Sequence, residues 1–436
     1  MRVLVPLHSF LPQSRYGAEL YTYYLAKELQ AAGAEVHVLY SDIEASPGTS
    51  TYDGLPCTVV PRNGPHGLGD VDPDNPAAEA AFQELLDTFR PDLVHFNHLL
   101  HLSTKLPRFA KRAHLPVVFT LHDYWLCCPK VKLFDRWGRR CEGGTPFQCA
   151  SCARHRYSRF WWPTGNYAEP APLTFRQFGK ELAFQVAERP LGTVSIARRN
   201  RELRSAISHV DRFIAPSRFL ASRMADWGIP ADKITYCDYG TMELPYVPSE
   251  RRRWVPPLRF GYLGGMTSEK GLDVLLEAFR GLDGCSLHMF GGTSESLRKA
   301  YPRFADVLAQ SNIHAPGAID DAAKVRLLPD LDALIVPSIW FENSPVVIHE
   351  AFQAGVPVIC SNIGGMAELV RDGVDGLHFE AGSATSLRHV LQSCIRVPER
   401  LSQLAQHIRR PVGMREHVRS EILPIYDAAL AAARTA

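Results

Sequence analysis

Along most of the chain, short apolar runs alternate with longer stretches in which apolar residues recur every three or four positions. The first kind reads as strands buried on both faces and the second as amphipathic helices packed over them, the pattern of βαβ units in parallel sheets. In the first half the predicted strands are residues 2–7, 35–40, 92–96, 117–121 and 212–216, with helices over 18–33, where Gly33 supplies the stop, and 76–89. The rhythm restarts with strands at 258–264, 286–290, 312–317, 332–337 and 357–361, and helical stretches at 270–279 and 324–331 fall between them. Residues 240–257 (GTMELPYVPSERRRWVPP) are rich in Pro and Arg and break the alternation. The expected architecture is therefore α/β, with one parallel-sheet domain over 1–243 and a second over 244–412. A last helix, 413–436, follows the break at Arg410-Pro411 and is expected to cross back to the first domain. A length of 436 residues suits two domains of roughly 200 residues each.

Composition narrows the function classes. Hydrophobic residues at 46% and charged residues at 22% are globular values. Lys plus Arg number 48 against 46 acids, a net charge of +2, which lacks the basic excess of a nucleic-acid binder. The opening MRVLVPLHSF has a short apolar run broken at His8 and no small-residue cleavage site, so it reads as a first strand, not a signal peptide. No apolar run reaches the ~18 residues of a membrane span. A cytoplasmic protein is expected.

Domains of this kind bind ligands at the carboxyl ends of their strands, across a shared cleft. Chemistry-bearing residues fall there. Gly17 follows the first strand, His122 follows strand 117–121, Gly264 and Gly265 end strand 258–264, and Glu342 follows strand 332–337. In FENSPVVIHEAFQAG, Ser344 reads as an N-cap, Pro345 as the first helical residue and Gly355 as the stop, giving a helix of roughly ten residues. Glu342 then lies at the helix mouth, and Glu350 lies within the helix among apolar neighbours, placed either for a polar ligand or at a solvated edge. In FGYLGGMTSEKGLDVLLEAF, a glycine pair after a strand and Lys270 at a helix start make a candidate anion site; a plain turn with a surface lysine is the alternative. The spacing is not that of a Walker loop, and no G-x-G-x-x-G follows the first strand.

GAE near the amino end, SEKG after a glycine-ended strand, two glutamates separated by seven residues and followed by AFQAGVPVI, and GGMAELVRDGVDGLHF together resemble the retaining family 4 glycosyltransferases of GT-B fold, over almost the whole chain. The resemblance implies two Rossmann-like domains facing a central cleft and a nucleotide diphosphate sugar, UDP- or GDP-linked, held mainly by the second. On that reading Lys270 meets the diphosphate, Glu350 the ribose hydroxyls, and Glu342 and His122 the transferred sugar. Gly17, Gly264, Gly265, Asn343 and Ser344 line the donor, with His122, Lys270 and Glu342 as the catalytic set. The sugar passes to a saccharide or lipid-linked acceptor with retention of configuration and no metal, in polysaccharide, glycolipid or glycoconjugate assembly. This chain departs from the family pattern in having Gly265 where an arginine is frequent, and Asn343-Ser344-Pro345 where an aromatic residue and a glycine are common. Arg218 is the candidate for the missing cation. An epimerase or phosphorylase on the same scaffold, and a non-catalytic sugar-nucleotide binder, are the rival readings. Hydrolytic glycosidases are disfavoured by the lack of evident paired carboxylates.

Five of ten cysteines, Cys127, Cys128, Cys141, Cys149 and Cys152, fall in an insert at about 123–165 that interrupts the βα rhythm. Cys128, Cys141, Cys149 and Cys152 are candidate ligands of a structural zinc; free thiols and disulfides are the other readings. No cofactor is expected for catalysis itself. Basic and aromatic residues crowd 152–163, and Arg198, Arg199, Arg201 and Arg204 share one helix. They are candidates for peripheral contact with anionic lipid at the inner face of a membrane, or form a solvated helix.

Overall fold

The computed structural model describes residues 1–43, 46–62, 74–135, 137–153, 189–241 and 254–435. Eight strands, β1 (Arg2–Leu7), β2 (Glu35–Asp42), β3 (Gly48–Tyr52), β4 (Leu55–Pro61), β5 (Leu93–Phe96), β6 (Val117–Thr120), β7 (Arg212–Ala215) and β8 (Ile234–Tyr236), form one sheet in the order β3-β4-β2-β1-β5-β6-β7-β8. Six more, β9 (Leu258–Leu263), β10 (Cys285–Phe290), β11 (Ile313–Gly317), β12 (Ala333–Val336), β13 (Val358–Ser361) and β14 (Gly376–Phe379), form a second, ordered β11-β10-β9-β12-β13-β14. All pairs are parallel except the β3–β4 hairpin. The central strands are buried throughout, as strands covered on both faces by helices must be.

Strand order reverses at β1/β5 in the first sheet and at β9/β12 in the second. A crevice opens at such a switch point, because the loops after the two adjacent strands turn to opposite faces. Gly17 follows β1, Gly264 follows β9 and Glu342 follows β12, so the motif residues stand at the two crevices.

The expected strands form with ends shifted by at most two residues, and four were not anticipated: β3, β4, β8 and β14. β3 is largely exposed, so it lacks an apolar signature, and its turn at Asp53-Gly54 (φ 46 and 77) is the left-handed pair that a two-residue hairpin needs. The predicted boundary at 240–257 lies mostly outside the described residues. The carboxyl-terminal segment, Met414–His417 through Leu423–Thr435, packs on the first sheet. The Tyr426 hydroxyl meets His95 Nδ1 at 2.6 Å, and the Tyr21 hydroxyl meets His417 Nε2 at 3.0 Å.

Candidate functional site

The helix after Glu342 runs Val346–Gln353, shorter than expected, and Ser344 does not cap it. Its hydroxyl is held instead by Asp238 Oδ1 at 2.8 Å and His349 Nε2 at 2.9 Å. Asn343 is likewise committed across the domain joint. It accepts from the Ser217 hydroxyl at 2.7 Å and donates to the His122 carbonyl at 3.2 Å. These two side chains, expected at the donor, hold the two domains together.

Glu342 is buried, and one oxygen, Oε1, accepts from Lys270 Nζ at 2.7 Å, the Ser338 hydroxyl at 2.7 Å and the Trp340 indole at 2.9 Å. Lys270 lies 5.4 Å from the Trp340 ring centroid and is about a third exposed, so its ammonium is oriented and still accessible. It belongs to a single 3₁₀ turn, Ser268–Lys270, preceding the helix Leu272–Phe279. That turn abuts β12: a Cβ on Gly271 (φ 75) would come within 1.8 Å of the Pro337 carbonyl oxygen, so glycine is required for the approach. The same logic accounts for GG in GGMAELV, where a Cβ on Gly365 would meet the Asn343 carbonyl oxygen at 1.5 Å. Gly17 and Gly265 differ in kind. Nothing lies within 4 Å of a Cβ at either, so no packing requires them to be glycine. A Cβ on Gly264 would only touch the Tyr262 hydroxyl, at 3.2 Å.

Glu350 is buried in its helix and accepts from Lys324 Nζ at 2.8 Å through Oε1, while Oε2 has no hydrogen-bond partner. Burial raises its carboxyl above the usual range, and Lys324 offsets only part of that effect. A buried carboxylate oxygen without a donor costs free energy and is placed to accept a hydrogen bond from a ligand hydroxyl.

On the first domain, His122 spans Tyr239 (2.8 Å) and Asn97 (3.0 Å). Burial, then the neighbouring His98, lower it to about 3, so the ring is neutral at neutral pH. Beside it stands a group the sequence reading passed over: His8, Glu19, His98 and Asp123. His8 Nε2 meets Glu19 Oε1 at 3.3 Å, His98 Nε2 meets Asp123 Oδ2 at 3.3 Å, and the two imidazole centroids lie 4.6 Å apart with the rings tilted by 55°. Burial works to raise the Glu19 carboxyl, yet the His8 and Ser14 hydrogen bonds outweigh it and hold it at about 2. The signal was available, since His8 follows β1, His98 follows β5 and Asp123 follows β6, each at a strand's carboxyl end.

Three further groups of candidate residues have partners of their own. The Arg218 guanidinium lies over the Tyr236 ring, 4.3 Å from its centroid, and among the described residues it forms no ion pair with the Lys270–Glu342 group. The candidate zinc ligands Cys128, Cys141, Cys149 and Cys152 line one pocket beside Lys130 and Asp135. All are free thiols, and no three His, Cys, Asp or Glu among the described residues are arranged to hold a metal. The Cys149 sulfur is turned toward the Gly144 carbonyl at 3.5 Å. Burial, then Cys128 nearby, pushes the Cys149 thiol up to about 12. Arg199, expected on a lipid-facing stripe, is buried and donates to the Leu126 carbonyl at 3.2 Å and to the Trp125 carbonyl. Residues 154–163 of the basic-aromatic stretch lie outside the described residues. No helix of the described residues is long and apolar enough to cross a membrane.

Comparison with known proteins fits this geometry. Residues 16–240 match the family model of the glycosyl transferase 4-like domain, and residues 253–410 match that of glycosyl transferases group 1. The chain belongs to this glycosyltransferase family. It is 31% identical over 132 residues to a phosphatidyl-myo-inositol mannosyltransferase of Mycobacterium leprae, covering 29% of this chain and 34% of that protein. To the amylovoran biosynthesis glycosyltransferase AmsK of Erwinia amylovora it is 29% identical over 191 residues, 40% of this chain and 45% of that protein. These matches therefore span between a third and a half of each relative's length. Anabaena HepE, solved with UDP-glucose, superposes at a TM-score of 0.62 with 16% identity, covering 100% of both chains. That likeness shows the GT-B fold.

Proposed function

We propose that this glycosyltransferase moves a sugar from a nucleotide diphosphate sugar to an acceptor hydroxyl with retention of anomeric configuration. The observation that carries the reading is Glu350: a buried carboxylate at the second domain's crevice with one oxygen unpartnered suits a pair of ribose hydroxyls. Lys270, presented by Glu342 and Trp340, suits the diphosphate next to it. In the reaction the bond between the anomeric carbon and the diphosphate oxygen breaks. Its electron pair leaves on the phosphate, and the acceptor oxygen bonds to the same face and loses its proton to the departing phosphate. Lys270 stabilises the charge that grows on the leaving group, a preorganised interaction of the kind worth about 3–4 kcal/mol. His122 is neutral, and both of its ring nitrogens are held by Tyr239 and Asn97, so it borders the sugar without adding charge. The names of the relatives support an acceptor in polysaccharide or glycolipid assembly.

The test is a panel of UDP-, GDP-, ADP- and dTDP-sugars screened by thermal shift, then proton NMR of the product formed with a saccharide or lipid-linked acceptor. Retention requires an α-linked donor to give an α-linked product. Sugar alteration with no acceptor present would indicate an epimerase, and affinity without turnover a binding protein; either outcome removes the proposal.

A further inference from the structure

Lys132 belongs to the cysteine-bearing insert of the first domain, yet its ammonium reaches the second domain. It pairs there with Glu269, the residue before Lys270, and lies 5.9 Å from the centroid of the Trp340 ring. Lys270 lies 5.4 Å from the same centroid, so one indole gathers an ammonium from each domain. The segment carrying Lys132 is built to hold it outward. Val131 (φ 72) and Leu133 (φ 46), on either side, both adopt the left-handed region, which is strained for a branched side chain and marks a constrained site. Val131 is fixed by bonds from its N–H to the Cys128 carbonyl at 2.9 Å and from the Tyr124 N–H to its own carbonyl at 3.2 Å. Leu133 is 2% exposed in the first domain's core, and its carbonyl accepts from the Cys141 N–H at 2.8 Å. Lys132, by contrast, leaves the core and is nearly half exposed.

The second domain has a corresponding gap. Gly265 has open space around its Cα, Arg218 of the first domain lies over Tyr236, and Lys270 is the ammonium that the second domain sets beside Trp340. One ammonium against a group carrying at least two negative charges leaves charge uncompensated. Burial works to raise the Glu269 carboxyl, and the charge and hydrogen bond of Lys132 outweigh it, so the lysine rests on an ionised partner until a stronger anion arrives.

We propose that Lys132 is the second cation of the diphosphate site, supplied across the cleft by the first domain in place of an arginine at position 265. This rests on the nucleotide-sugar reading above. A consequence is that donor binding draws the insert onto the second domain, coupling diphosphate recognition to the position of the loop that borders the acceptor side.

The test uses calorimetric titration of the full chain with UDP, GDP, ADP and dTDP, then with the tightest of these and its monophosphate. Lys132→Gln is expected to weaken the diphosphate about ten-fold or more, as loss of a charge-assisted bond should, while the monophosphate changes little. Lys132→Arg should recover most of the affinity. Glu269→Gln frees the lysine and should leave diphosphate affinity equal or tighter. An unchanged unfolding midpoint in Lys132→Gln establishes that binding, not folding, was altered. Equal diphosphate affinity in Lys132→Gln and the native chain overturns the proposal. So does a loss in Glu269→Gln matching that in Lys132→Gln, which makes the pair a simple latch between domains. If no diphosphate binds the native chain, the nucleotide-sugar reading itself fails first and this one with it.

Discussion

Lys324 donates to one oxygen of Glu350 at 2.8 Å and leaves the other, buried in the same carboxylate, without a donor. Half of the group is thus engaged by the protein and half is available. Glu350→Gln, which keeps the volume and removes the charge, is expected to weaken nucleotide binding by about ten- to one-hundred-fold, the range for bonds to an ionised acceptor. Lys324→Met is expected to act on the fold instead, because it strips a buried carboxylate of its partner, a change that costs up to about 3–5 kcal/mol. Calorimetry and thermal unfolding on both variants separate the effects. If Glu350→Gln binds nucleoside diphosphate as the native chain does, the ribose assignment is wrong.

Gly17 and Gly271 offer a matched pair. A methyl at Gly271 would collide with the Pro337 carbonyl oxygen, and its φ of 75 is unfavourable to any side chain. Gly271→Ala should therefore lower stability by about 1–3 kcal/mol and displace Lys270. At Gly17 a methyl meets nothing. Gly17→Ala should leave the unfolding midpoint within a degree or so, given the ±0.5 kcal/mol typical of unhindered sites, while sugar transfer falls at least about ten-fold if a ligand must approach that backbone. Full activity in Gly17→Ala would remove this glycine from the site.

The contrast between those glycines also shows what the chain's pattern can carry. A strand such as β12 is a continuous apolar run bounded by polar text, so it and the residues that follow it, Glu342 among them, are legible in one dimension. β3 is not, because an exposed edge strand has no buried face to leave a pattern, although Asp53-Gly54 marked its turn. The side-chain partners of Asn343 and Ser344, the His122 carbonyl and Asp238, lie more than a hundred residues away, beyond any local signal. Lys132 and Lys324 were not singled out for the same reason. Each sits in a stretch with another evident purpose, a cysteine insert or an amphipathic helix, and only folding shows which carboxylate it meets.

Acid should unfold this protein through its buried histidines. Burial lowers His95 and His122 to about 3 and His417 to about 4, all below the ordinary value of 6.5. A depressed folded value means that the unfolded chain binds more protons below pH 6.5, so these groups favour the fold fully above that pH. Their contribution falls by about 1.4 kcal/mol per histidine per pH unit as pH drops toward the folded values. Unfolding midpoints at pH 8, 7, 6, 5 and 4 should be nearly level from 8 to 7 and fall progressively below 6.5. A midpoint that stays level down to pH 5 would show that at least one of these rings can be protonated in place.

Glu342 presents the sharpest separation between binding and turnover. Its Oε1 takes three donors, from Lys270, Ser338 and Trp340, and so fixes the ammonium relative to the indole. Lys270 touches the diphosphate in the proposed reaction, and Glu342 acts through it as well as lying near the sugar. Glu342→Gln preserves shape but replaces an ionised acceptor with a neutral amide, which weakens the hold on Lys270 and releases an ammonium that is now free to pair with a bound diphosphate. Ground-state affinity for the bare nucleotide should thus stay within about three-fold of native or tighten, whereas turnover should fall by about 100-fold or more, the scale of losing one preorganised group in the transition state. Lys270→Ala should lose both. Steady-state kinetics paired with calorimetry on the two variants reads the difference directly. If Glu342→Gln loses nucleotide affinity and turnover in the same proportion, then the carboxylate binds the donor uniformly and does not poise the lysine for the step in which the phosphate departs.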